Sequence, residues 1–105
     1  MRGFKMDKLK KIKKDLRIAG TLNPELLMHK LLRLGLSELE LTIIKMRYIE
    51  NRLIKQIAFT TGHCETWIKK ENHKVLLRLL DELTTADLRE LGVYSEATLR
   101  LLYQI

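Results

Sequence analysis

The chain has 105 residues and a formal net charge of +7, which is the size of a single basic domain. An apolar content of 46% argues against a disordered chain, and 5 Gly with 1 Pro argue against a many-stranded β fold, so we expect an all-α protein. There is no apolar run of the roughly 20 residues that cross a bilayer, no secretory-signal pattern at the start, and a single cysteine, Cys64, so we expect a cytoplasmic location.

The first predicted element is a basic helix over residues 5–19. Residues 1–19 have a net charge of +6, and most of this charge lies in the predicted helix. Its apolar residues recur at helical spacing, namely Met6, Leu9, Ile12 and Leu16. Gly20 is the predicted stop. Three interpretations stay open: a nucleic-acid arm, a membrane-surface helix or a solvated packing helix. A narrow apolar stripe without Trp disfavours the membrane.

Two capped helices are predicted next. Asn23 is a predicted cap and Pro24 a predicted first residue of an apolar helix that ends at Gly35. We expect its leucines to lie in the core (Leu26, Leu27, Leu31, Leu32 and Leu34). Ser37 and Glu40 form a predicted capping box for a third helix, whose apolar face is Leu39, Ile43, Met46 and Tyr48.

The second half begins with a short helix over residues 53–60, a turn at 61–63 and a long helix over about 64–83. The core candidates of the long helix are Ile68, Val75, Leu76, Leu79, Leu80 and Leu83. Shorter helices are predicted up to Leu91 and over 95–103. The sequence thus suggests three parts: a packing region at 1–35, a central module at 36–83 and a helical tail at 84–105.

A helix-turn-helix pattern lies inside the central module. Ala58 is small enough for two helices to touch, Gly62 can adopt the positive φ that the turn requires, and Ile68 follows at the spacing of an inward-facing residue. The basic character of the following helix and the positive net charge favour nucleic-acid binding.

From residue 36 to about residue 80, the chain resembles the fourth conserved region of bacterial sigma factors and the small phage regulators built on that module. The resemblance is carried by LSELE at 36–40, KMRYIE at 45–50, IKQIA at 54–58 and GHCETWIKK at 62–70. It implies a DNA-binding regulator of transcription, of phage or prophage type, with RNA polymerase as a further partner.

In this family the helix that starts at Cys64 would enter the major groove. The candidate DNA-binding residues are Glu65, Thr66, Trp67, Lys69, Lys70, His73 and Lys74 on that helix, with Arg52, Lys55 and Gln56 before it. Each has a simpler interpretation, because lysines on a helix are commonly just solvated and Trp67 is as well suited to packing. Lys74 and Arg78 are expected to contact phosphates further along the helix.

The chain departs from the family pattern at three positions. Cys64 stands where Ser or Thr usually caps the helix, which weakens the cap by roughly 1 kcal/mol because a thiol is a poor acceptor. Thr61 and Glu71 stand where apolar residues are common, and Glu71 is expected to face the core.

Other chemistry is disfavoured by the residues. His63, Cys64 and His73 do not have the spacing of a structural zinc site, and we predict no metal and no cofactor. His63 is expected to point away from Cys64, and no acidic group is placed to orient it, so we predict that the protein is not an enzyme.

Two alternatives remain open. The same module would serve a phage-encoded inhibitor that binds a host protein, such as RNA polymerase or a CRISPR effector. A homodimer is suggested by the apolar residues of the acidic tail, which are Leu88, Leu91, Val93, Leu99, Leu102 and Ile105.

Overall fold

The computed structural model describes the backbone of residues 2–94 and the side chains of residues 7–94, and within these the chain is entirely helical. The six α-helices are α1 (Arg2–Leu22), α2 (Pro24–Arg33), α3 (Glu38–Ile44), α4 (Ile54–Thr61), α5 (Glu65–Glu82) and α6 (Thr85–Glu90). A π-helical turn, Lys45–Ile49, extends α3. The all-α prediction is confirmed. None of the described helices is both long and apolar enough to cross a bilayer.

Two capping boxes start helices as their sequences demand. The Ser37 hydroxyl accepts from the Glu40 amide at 3.2 Å, and the Glu40 carboxylate accepts from the Ser37 amide at 2.8 Å. Thr84 and Asp87 make the same reciprocal pair at the start of α6. These bonds satisfy amides that have no partner inside the helix, so both starts are specified locally.

The Asn23 prediction is wrong in its detail. Pro24 does occupy the first turn of α2, but the Asn23 side chain makes no capping bond there. Its Nδ2 donates instead to the carbonyl oxygen of Leu91 at 2.9 Å. Asn23 therefore joins the α1–α2 corner to the end of α6.

Gly20 does not end α1, which continues to Leu22. A Cβ on Gly20 would lie 2.6 Å from the Tyr48 carbonyl oxygen and 3.1 Å from an Ile49 side-chain carbon. Glycine is thus needed because α1 passes directly over the backbone of the π-helical turn. The stop predicted from the residue type was wrong because the requirement comes from tertiary packing.

The main core draws on every part of the described chain except α4. Its buried residues include Leu16 of α1, Leu31 of α2, Tyr48 of the π-helical turn, Leu79 of α5 and Leu91 beyond α6. The N-terminal half of α1 packs near Leu79 and Leu83, at the carboxyl-terminal end of α5. Gly20, near the other end of α1, packs on Tyr48, whose hydroxyl is hydrogen-bonded to Asn72 in the middle of α5. α1 therefore runs antiparallel to α5.

Most predicted core positions are buried, and two are not as expected. Leu32 of α2 is 60% exposed. Glu71 lies at the edge of the core with 20% of its side chain exposed, and it pairs with Lys74 at 3.2 Å. The neighbouring Asn72 is the polar residue of α5 that enters the core.

The tail residues that the structure describes pack within the chain. Leu91 and Val93 are buried, and Leu88 is half-buried against the main core. Lys30 of α2 adds ion pairs to Asp87 at 3.1 Å and Glu90 at 2.9 Å. Met6 and the predicted helix 95–103, with Leu99, Leu102 and Ile105, lie outside the described side chains.

A second, smaller core lies between α3, α4 and the start of α5. It consists of Ile43, Met46, Ile57, Ala58 and Ile68. Leu39, Ile54 and Trp67 are partly buried against it. Its buried residues come from α3, the π-helical turn, α4 and α5. Within the part of the chain that the structure describes, α4 contributes buried residues to this core and not to the main core.

Tyr48 joins the π-helical turn to α5. Its hydroxyl donates to Asn72 Oδ1 at 3.2 Å in a buried position, and the Arg17 guanidinium lies 5.2 Å from its ring centre. Burial raises the pKa of the Tyr48 phenol, against smaller opposing effects of the Asn72 bond, Arg17 and Arg47. The ring therefore stays neutral and hydrogen-bonded over the physiological range.

Gly20→Ala tests the contact between α1 and the π-helical turn. Helix propensity alone predicts a gain of about 1 kcal/mol in the free energy of unfolding. The Tyr48 carbonyl 2.6 Å from the new Cβ predicts a loss of about 2 kcal/mol instead. Urea unfolding decides the sign, with the exposed neighbour Thr21→Ala as the control, which should be neutral or stabilising. A stabilised Gly20→Ala protein would contradict the close approach of α1 to the π-helical turn.

Tyr48→Phe tests the buried hydrogen bond. The change leaves the Asn72 amide oxygen without its donor, and we expect a loss of about 1–3 kcal/mol. Because the phenol pKa is raised on folding, wild-type stability is intact below pH about 10 and falls as pH rises beyond it. The phenylalanine variant should lack that part of the alkaline loss, measured by urea unfolding between pH 8 and pH 11 in parallel with the wild type.

Candidate nucleic-acid interface

The turn between α4 and α5 has the geometry that the sequence predicts. Gly62 adopts φ 76° and ψ 17°, the left-handed region that favours glycine. The amides of Gly62 and His63 both donate to the Ala58 carbonyl, at 3.0 and 3.2 Å. These two hydrogen bonds to one carbonyl oxygen end α4 tightly, and α5 begins only three residues after Gly62.

Buried contacts hold α4 against the first turns of α5. Ile57 and Ile68 are fully buried, and Ala58 is only 7% exposed. Thr61, which stands where an apolar residue is common, is half-buried and directs its hydroxyl to the Ile57 carbonyl at 2.8 Å. The polar group is thus satisfied inside α4, and the packing tolerates it.

The start of α5 lacks a side-chain cap. Cys64 has the extended backbone of a capping residue, with φ −75° and ψ 158°, but its side chain accepts no bond from the helix amides. The weak cap predicted for a thiol is confirmed. Glu65 places a carboxylate in the first turn, where the helix dipole favours negative charge.

His63 and Trp67 stack at the same helix start. Their ring centres lie 3.9 Å apart with an angle of 18° between the ring planes. This contact was not predicted, because His63 was considered from its sequence only as a catalytic or metal-binding group. The four-residue spacing across the helix start was the available signal, because such residues lie on one side of a helix. The stack restrains Trp67, which is half-buried against the smaller core.

Five of the ten candidate residues form one exposed stripe on α5. Thr66, Lys69, Lys70, His73 and Lys74 line a single open depression. Their spacing of three and four residues places them on the same face of the helix. We refer to these five residues as the α5 stripe.

The cations of the α5 stripe differ in their surroundings. Lys74 pairs with Glu71 at 3.2 Å. Lys69 and Lys70 are exposed, and among the side chains that the structure describes neither has a carboxylate partner. These two ammonium groups are therefore available to an external anion without breaking an internal bond.

The remaining candidates precede or begin α4. Lys55 is exposed. Gln56 is exposed but already uses its Oε1 to accept from the Leu53 amide at 2.9 Å, which satisfies one of the free amides at the start of α4. Arg52 pairs with Glu50 at 2.6 Å, so it would have to exchange that carboxylate for a phosphate.

Arg78 does not project from the protein toward a phosphate, as the sequence suggested. Its guanidinium donates to the Leu34 carbonyl, and its Nε pairs with Glu82 at 2.6 Å. The side chain satisfies a carbonyl at the end of α2 and has a structural role.

Phe59 is an exposed residue that the sequence analysis did not single out. It lies on α4 and is 90% exposed, although the neighbouring Ile57 and Ala58 are buried. Helical geometry explains this, because Phe59 follows Ala58 by one residue and turns about 100° away from the core. The periodicity of α4 could have identified it.

Compared with protein-family models, curated proteins and solved structures, the chain gives no significant match. The likeness to the sigma-factor module therefore stays a prediction based on residues 36–80. Among the side chains of residues 7–94, no group of three or more His, Cys, Asp or Glu is placed to hold a metal ion.

Cys64→Ser tests the cap of α5. A hydroxyl accepts hydrogen bonds far better than a thiol, so we expect about 1 kcal/mol of added stability in urea unfolding. Cys64→Ala is the matched control, which removes the thiol without adding an acceptor and should show no gain. Equal stability of the serine and alanine variants would mean that the backbone at residue 64 cannot support a side-chain cap.

Proposed function

We propose that the protein binds duplex DNA and acts as a regulator of transcription, with α5 in the major groove. The observation that carries the proposal is the α5 stripe, which offers two unpaired ammonium groups directly after a tight turn. A major groove about 12 Å wide accepts one α-helix, and phosphates and guanine edges are the natural acceptors for lysine there.

The candidate residues divide into two roles in this arrangement. Glu65, Thr66, Lys69 and Lys70 lie in the first turns of α5, where base edges would be contacted. Glu65 would accept from cytosine and Thr66 would touch a thymine methyl group. Phosphate contacts would come from Lys55, Arg52 and Lys74, which flank the first turns of α5. Lys69 and Lys70 would also neutralise phosphates, because a lysine in the groove donates to phosphate oxygens as well as to guanine.

Trp67 has a different part in the proposal. Because it is half-buried against the smaller core and stacked on His63, it is held in one position before any DNA binds. A restrained aromatic side chain loses little conformational entropy on contact with a sugar or base. We therefore assign Trp67 to shaping the start of α5, with its exposed edge toward the DNA.

The resemblance of residues 36–80 to the fourth region of sigma factors supports the regulatory part of the proposal. In that family the module acts beside RNA polymerase, and small phage regulators use it alone. Two features fit the packing that such a module needs. They are the pair of hydrogen bonds to the Ala58 carbonyl and the burial of Ile57 and Ile68 in one cluster.

The alternative is a phage-encoded inhibitor that uses the same module to bind a host protein. Phe59 favours it, because its side chain is 90% exposed and offers apolar area that a protein partner would bury, whereas the DNA proposal gives it no role. A homodimer through the tail keeps less support, since Leu91 and Val93 are used inside the chain.

A salt titration tests DNA binding. Fluorescence anisotropy with a labelled random-sequence duplex measures the dissociation constant at several salt concentrations. If Lys55, Lys69, Lys70, Lys74 and Arg52 neutralise about five phosphates, log affinity against log salt should have a slope of about −4.5. Lys69→Ala with Lys70→Ala should weaken binding and reduce the slope to about −2.7, because two counterion releases are lost.

Arg33→Ala with Arg89→Ala is the matched control. Both arginines are exposed on other helices, so the net charge falls equally while the α5 stripe is intact. The control should bind DNA like the wild type. Absence of binding at low salt would refute the DNA proposal. Equal losses in the two double variants would show that only total charge matters.

Phe59→Ser distinguishes the two functions. If DNA binding is the function, this variant should keep its duplex affinity and its regulatory effect, because the side chain does not belong to the α5 stripe. If the biological effect is lost while duplex affinity is unchanged, the module acts as a protein surface.

A further inference from the structure

The outer side of α1 carries a surface that the proposed DNA interface does not use. Lys10, Lys13, Lys14 and Arg17 lie along one open groove, followed by Ile18 and Leu22. Their spacing of three and four residues places all six on one face, which is opposite Ile12, Leu16 and Ala19 in the core. We call this surface the α1 outer face.

The cations of the α1 outer face are not neutralised within the protein. Lys11, which pairs with the buried Asp15 at 2.8 Å, lies outside the groove. Arg17 contacts the Tyr48 ring, and none of the four cations of the groove has a carboxylate partner among the described side chains. Four uncompensated positive charges within about two turns repel one another, so a negative ligand would stabilise this face.

The carboxyl-terminal end of the same face is apolar. Leu22 is 58% exposed, and Ile18 lies one turn before it and is half-buried. The aliphatic stems of the lysines extend this apolar surface along the groove. The face is therefore cationic at one end and hydrophobic at the other.

This combination distinguishes between classes of ligand. A phosphate backbone would use the four cations but would leave Leu22 in water. A second copy bound through the same face would bring four cations against four. An acidic amphipathic helix would pair carboxylates with Lys10–Arg17 and bury apolar side chains on Ile18 and Leu22.

The geometry points to the α1 outer face as the docking site for an acidic amphipathic helix of another protein. Helix-in-groove recognition uses apolar anchors at helical spacing, and charge complementarity speeds the encounter and sets the register. The site is distinct from the α5 stripe, so docking does not rest on the DNA-binding proposal.

A designed peptide tests the site. The probe is a fluorescein-labelled, lactam-stapled helix with glutamates opposite Lys10, Lys13, Lys14 and Arg17 and leucines opposite Ile18 and Leu22, in an antiparallel alignment. We expect saturable binding by anisotropy. A probe with Gln for Glu and a probe with Ser for Leu should each bind more weakly, because both ends of the face contribute.

Protein variants locate the site. Lys10→Glu with Lys14→Glu should weaken probe binding by about tenfold, since two attractions become repulsions. The charge-matched control, Arg33→Glu with Arg89→Glu, should bind within about twofold of the wild type. Leu22→Ser should weaken binding by about fivefold through lost apolar burial, whereas Leu32→Ser, which alters a leucine 60% exposed on α2, should not.

Three results would overturn the inference. The first is no saturable probe binding. The second is equal binding by the wild type and the Lys10→Glu, Lys14→Glu variant, with thermal melts showing both folded. The third is a wild type that does not bind the probe, combined with a Lys10→Glu, Lys14→Glu variant that has lost binding to duplex DNA, binding to anionic vesicles or self-association. That result would assign the face to the ligand whose binding is lost. Loss of duplex binding in the α5 variants alone would refute the DNA proposal and leave this inference standing.

Discussion

The contact of Gly20 with the backbone of Tyr48 determines how closely α1 can approach the rest of the protein. With no side chain at residue 20, the helix lies directly on the π-helical turn. This approach brings Arg17 over the Tyr48 ring, and Tyr48 in turn holds Asn72 of α5. Tyr48 therefore adds a hydrogen-bonded link between α1 and α5 to their direct packing in the main core, and both charged surfaces depend on that arrangement.

α5 connects two cores of unequal size. Ile68 belongs to the smaller core with α4, whereas Val75, Leu76 and Leu79 belong to the main core. The α5 stripe lies between these anchors, on the part of the helix that both cores restrain. A rigid helix presents its side chains in a fixed arrangement, which lowers the conformational cost of recognising a ligand. The smaller core positions α4, and the turn at Gly62 sets the angle between the two helices.

Sequence reasoning succeeded where the determining contacts are local. The Ser37–Glu40 box, the turn at Gly62 and the spacing of the α5 stripe involve residues only a few positions apart. It failed where a partner lies far along the chain. Asn23 bonds to Leu91 and Arg78 to Leu34, although residue type alone assigned a cap and a phosphate contact. The helical period likewise predicted most of the buried residues, but it could not separate the exposed Leu32 from the buried leucines of α2. Leu32 stays exposed because none of the described residues packs on its side of the helix.

The bond between Asn23 and Leu91 spans 68 positions of the chain. During synthesis, the corner between α1 and α2 therefore remains without its cover until residues near Val93 have left the ribosome. Leu91 and Val93 complete the core that contains Leu27 and Leu31, and closing so long a loop carries an entropic cost. The helices made first can form early, but their packing is completed last. Docking of α6 is thus the step that covers the α1–α2 corner, where Leu22 lies close to Gly92.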